Sequence, residues 1–77
     1  MTHYLMVFDR PRGEILELRP FSDRKDAVRA RFEEERRRAG QLEVEIVVLS
    51  AESREALERT HSRYFKDLGQ LIRDVRN

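Results

Sequence analysis

The chain of 77 residues contains no cysteine and no tryptophan, and only three glycines, two prolines and two histidines. Without thiols it has no disulfide and no thiolate metal site. Two histidines are too few for a histidine-rich metal centre, so no metal and no cofactor is expected. No apolar run approaches the ~18 residues that a membrane-spanning helix requires. No apolar leader core follows Met1 either, so the expected location is the cytoplasm, away from membranes. The catalytic signatures GxSxG, GxGxxG, P-loop, HExxH and EF-hand are all missing, and the expectation is a protein that is not an enzyme. The only enzymatic arrangement the residues suggest joins His3, His61 and Tyr64 with nearby carboxylates at a shared interface.

What remains is polar but patterned: 39% hydrophobic, 40% charged, net charge +1. The ordered spacing of the apolar residues points to a folded chain rather than a disordered one. A chain this short makes one domain, burying only about 60% of the surface its unfolded form exposes.

His3–Phe8 reads HYLMVF and Glu14–Phe21 reads EILELRPF, with Pro11 and Gly13 between them. Pro11 suits the second position of a type I turn, and Gly13 supplies the left-handed residue after it. The pattern predicts a β-hairpin with a three-residue loop and a G1 bulge. That register sets Phe8 opposite Leu16, Met6 opposite Leu18, Tyr4 opposite Pro20 and Asp9 opposite Ile15. Ser22 is the expected N-cap of a helix from about Asp23 to Ala39, ended by Gly40. Leu42–Leu49 reads LEVEIVVL, a third strand. Ser50 or Ser53 then caps a second helix with Leu57, His61, Tyr64 and Leu68 at helical spacing.

The order is therefore β-β-α-β-α. Strand one is apolar on both faces and belongs in the middle; strand two carries Pro20 and suits an edge. The expected fold is α+β, a three-stranded antiparallel sheet in order 2-1-3 with the helices packed on one face; the alternative is the order 1-2-3, with strand three parallel to strand two. Residues 1–66 form the domain, and residues 67–77 form an amphipathic extension continuing the second helix. Tyr4, Met6, Phe8, Leu16, Leu18, Val44 and Ile46 are assigned to the core face.

The opposite face then lacks a cover. Leu5, Val7, Ile15, Val47 and Leu49 are expected to form an apolar patch there, and Leu68, Leu71, Ile72 and Val75 a second one on the extension. Exposed patches of this kind mark interfaces. The expected function is a small non-enzymatic interaction or regulatory module, a homodimer or a binder of another protein.

The competing expectation is weak nucleic-acid binding. Fourteen of the 16 basic residues are arginines, the side chain suited to bidentate phosphate contact. Arg24, Arg31 and Arg38 recur every seven residues along the first helix, with Arg10 and Arg12 on the hairpin tip. Acidic residues interleave throughout, and Glu33–Arg38 reads as a solvated helix face with favourable Glu-before-Arg pairs.

Overall fold

A computed structural model describes residues 1–65. The extension, with Leu68, Leu71, Ile72 and Val75, lies outside the described residues, as does the domain boundary at residue 66.

The strands are β1 (Thr2–Asp9), β2 (Glu14–Phe21) and β3 (Val44–Ala51). They form one open antiparallel sheet in the order β2-β1-β3. The helices are α1 (Arg24–Arg37) and α2 (Arg54–Thr60), followed by further helical residues at 62–65. The α+β class and the strand order are those the residue pattern implied.

The hairpin turns on Gly13, which has φ 66° and donates its N–H to the Asp9 carbonyl at 2.8 Å. The loop is one residue longer than expected: Asp9, not Arg10, faces Glu14. Phe8 consequently faces Ile15 rather than Leu16. A bulge beside Val7 and Phe8 absorbs Leu16, which is 41% exposed. Beyond the bulge the expected register returns, with Met6 opposite Leu18 and Tyr4 opposite Pro20. Ile15 thus joins Phe8 on the core side, and Leu16 leaves it.

Helix α1 is capped by Asp23, not Ser22; its carboxylate accepts the Lys25 N–H at 2.9 Å. The helix ends at Arg37, and Gly40 (φ 91°) turns the chain toward β3. Helix α2 starts where Ser53 accepts the Ala56 N–H at 3.1 Å. It does not run straight on. His61, at φ −124° and ψ 46°, interrupts it after Thr60. The break re-aims Tyr64 and Phe65 into the core.

The helices do not share a face. Tyr4, Met6 and Phe8 cluster with Ala51, Leu57, Tyr64 and Phe65, so α2 and residues 62–65 cover that side. Leu5 and Val7 point the other way, and both are fully buried. Ala27 and Ala30 of α1 are buried as well, and Arg37 and Arg38, at the end of α1, reach Glu17, which faces Val7. Helix α1 therefore lies over Leu5 and Val7, and the sheet is sandwiched between helices. The cause is the β1–β3 register. Met6 faces Val47 and Val7 faces Ile46, so Val44, Ile46 and Val48 lie on the α1 side and Val47 and Leu49 on the other. A shift of one residue exchanges the faces of a whole strand.

Candidate functional site

The apolar patch expected on the sheet is not assembled. Leu5 and Val7 are buried under α1, whereas Ile15, Val47 and Leu49 pack against the cluster on the opposite side. Three features of the fold replace it: two charge networks and one strand edge.

The first network lies between α1 and β2. Glu34 is 3% exposed and accepts hydrogen bonds from Arg37 and from Arg38 Nε, the latter at 2.9 Å. Arg38 also donates to Glu17 at 2.9 Å, and Arg19 stands 4.0 Å from Glu34. The Glu33–Arg38 run is thus not a purely solvated face: it packs a buried carboxylate against the sheet. Burial pushes the Glu34 carboxyl upward, but the Arg38 hydrogen bond and the Arg37, Arg38 and Arg19 charges outweigh it and hold it below the usual carboxylate range.

The second network is centred on Glu45 of β3. Its carboxylate accepts from the Tyr64 hydroxyl, from Arg63 at 3.0 Å and from Arg10 Nε at 3.3 Å. Burial works against the ionised form, yet these donors keep its carboxyl low. The Tyr64 hydroxyl is pushed upward by burial and by the carboxylate it serves. Its ring meets Phe8 edge-on, 5.0 Å between centroids.

Four of the five arginines expected to meet phosphate lie beside carboxylates, two of them in these networks. Arg10 and Arg12 pair with Glu45 and Asp9; Arg31 and Arg38 pair with Glu35 and Glu34. Among the described residues, Arg24 alone of that set forms no ion pair. Within one chain His3 also lies apart from Tyr64. His3 bonds Ser50 at 2.7 Å on the α1 side of the sheet, while Tyr64 packs on the other. No group of three or more potential ligands is placed to hold a metal ion among the described residues. No described helix is long and apolar enough to cross a membrane.

The strand edges differ sharply. The outer edge of β2 carries Pro20, the bulge at Leu16 and Arg19, devices that discourage further pairing. Strand β3 has none of them. It pairs with β1 over eight residues without a register shift. Glu45 is its one charged residue, and that charge is drawn inward by three partners.

Alternation of the ladder decides which β3 groups face out. Arg10 donates its N–H to the Glu43 carbonyl at 3.1 Å, so the pair 10/43 is hydrogen-bonded. Bonded and non-bonded pairs alternate, so residues 45, 47, 49 and 51 bond β1, and 44, 46, 48 and 50 point outward. Val44 N–H confirms the direction: it bonds the Gln41 carbonyl at 3.2 Å, away from β1. Among the described residues no backbone group bonds the outward groups of Ile46, Val48 or Ser50. Beside this edge an open groove runs between Glu35 and Arg38, on the α1 side, and Val44 and Ile46 of β3. Phe32, on the same side of α1 as Glu35, is 49% exposed, and Leu42 is 86% exposed.

The signal for this edge was present in the residues. A run of Val, Ile and Leu without Pro, Gly or Lys is a bare edge once it is not central. Nothing in the run told which of its faces would meet which helix.

No family model, no curated protein and no solved structure matches the chain.

Proposed function

We propose that this protein is a non-enzymatic interaction module that associates with itself, and that the contact is an edge of the sheet rather than its face. The supporting observation is the undefended edge of β3. Its outward amides and carbonyls at Ile46, Val48 and Ser50 have no bonding partner among the described residues, and its one charge is neutralised internally. Unpaired strands of this kind recruit another strand. The arginines weigh against nucleic acid as the main partner, because four of the five candidates are paired with carboxylates.

Light scattering across a concentration series from about 1 to 500 µM tests the reading, a span covering typical interface affinities. The wild type should be dimeric in the upper part of that range. Val48→Pro removes one outward N–H and no bond to β1, so it should give a folded monomer by circular dichroism. A wild-type protein that remains monomeric throughout would refute the proposal.

A further inference from the structure

Resting on the edge reading above, we infer the partner and the geometry: a second copy of this chain adds β3 to β3 antiparallel, about a two-fold axis passing beside Val47, to make one continuous sheet.

The backbone limits the choices. A two-fold axis perpendicular to the sheet keeps each side chain on its own face, so facing residues have the same parity. The outward groups belong to residues 44, 46, 48 and 50, and these must form the hydrogen-bonded pairs, Val44 through its carbonyl because its N–H is held by Gln41. The register centred on the outward stretch 44–50 sets Ile46 against Val48 of the second copy and Val44 against Ser50. Val47 then meets its own equivalent on the axis, and Glu45 lies opposite Leu49. Every directly facing pair lacks a like-charge clash, and the central pairs are aliphatic and β-branched, the pairs that stabilise a sheet.

The side chains agree with that choice. Residues 44–49 are all half-buried in one copy, on both faces, so each has surface left to lose. Glu45 would otherwise bring two carboxylates near the axis. Its bonds to Arg10, Arg63 and Tyr64 hold it toward its own domain and offset its charge. On the other face, the Glu35 side of α1 looks over the edge, and the half-exposed Phe32 on that side would approach the equivalent helix. A homodimer supplies all of these complements from one sequence.

The chain has no cysteine, so single introduced cysteines can report the register directly. In a non-hydrogen-bonded pair facing α-carbons stand roughly 4.5 Å apart, within disulfide range. A thiol introduced in place of Val47 would face its own equivalent across the axis. Thiols introduced in place of Val48, two residues out of step, would have α-carbons roughly 8–9 Å apart, beyond that range. Mild oxidation of full-length Val47→Cys should therefore give a covalent dimer at least about tenfold faster than Val48→Cys under the same conditions. Phe32→Asp should weaken dimerisation of the wild-type sequence without loss of helix signal.

The outcomes separate the two claims. Rapid cross-linking of Val47→Cys, with slow Val48→Cys, supports the geometry. A wild-type dimer in which Val48→Cys links faster, or neither links, overturns the register and leaves self-association standing. A monomeric wild type, including one whose β3 edge is covered by residues 66–77 of its own chain, overturns both.

Discussion

Replacing Glu34 by glutamine tests whether the buried network holds α1 to the sheet. The substitution keeps volume and one carbonyl acceptor but removes the charge. A hydrogen bond to a charged group contributes about 1.5–3 kcal/mol, and breaking a buried pair costs about 3–5. Two features pull the value down. The Arg37 side chain is 65% exposed and can return to water, and Arg38 keeps its bond to Glu17. The expected loss is therefore about 2–3 kcal/mol, against a total stability of roughly 4–12 kcal/mol for a chain of this length. Melting should fall by roughly 8–24 °C, at ~4–8 °C per kcal/mol in a domain this small. Urea unfolding followed by circular dichroism should show a lower midpoint with an unchanged slope. The pH dependence gives the sharper check. The folded carboxyl of Glu34 is held below its ordinary value, so its contribution is complete above the unfolded pKa. It is lost as pH falls through the lowered folded value. The gap between wild type and Glu34→Gln should be full at neutral pH and close in acid. Equal urea midpoints at pH 7, or a gap that does not shrink on acidification, would refute the reasoning.

Gly13→Val forces a β-branched residue into φ 66° and should cost at least about 1 kcal/mol, read as a shifted urea midpoint. Leu57→Ala empties the contact between α2 and the Phe8 cluster and should cost about 2–5 kcal/mol in the same assay. Alkaline titration at 295 nm should show a tyrosine ionising above the ordinary range, and Tyr64→Phe should remove that phase; two tyrosines titrating normally would contradict the Glu45 contact. Binding to duplex DNA should be weak and should vanish by about 200 mM salt, and Arg24→Glu should weaken it more than Arg12→Glu does. Tight binding at that salt would reverse the ranking of partners.

The sequence carried the element order and the central place of β1, because both depend on local pattern and on turn residues such as Gly13. It also carried a warning that was easy to pass over. His3–Phe8 has apolar residues on both faces, and a strand of that kind is covered on both sides. The placement of α1 and α2 follows from it. Strand β3 hid the answer, since Val44, Ile46 and Val48 suit an inward position as well as Val47 and Leu49 do. An apolar strand without alternation does not encode its facing. The four-residue loop and the bulge at Leu16 were illegible for another reason: the extra residue at one end cancels the extra residue at the other, and the rest of the hairpin is unchanged. Burial of Glu34 was masked by its setting among exposed charges. Only the tertiary position of α1 distinguishes it from Glu33 and Glu35.

The central strand sets a timetable for synthesis. β1 completes its bonding only when β3 arrives, and Ser50, the partner of His3, lies 47 residues later. At about 5–20 residues per second, a ribosome needs on the order of 2–9 s to deliver it. In the later part of that interval, once Phe21 has been made, the hairpin exists with one side of β1 unpaired and with Tyr4, Met6 and Phe8 awaiting α2. A nascent chain of this protein is therefore most adhesive early, and its tendency to aggregate should depend on translation speed across residues 22–51 more than on the stability of the finished fold.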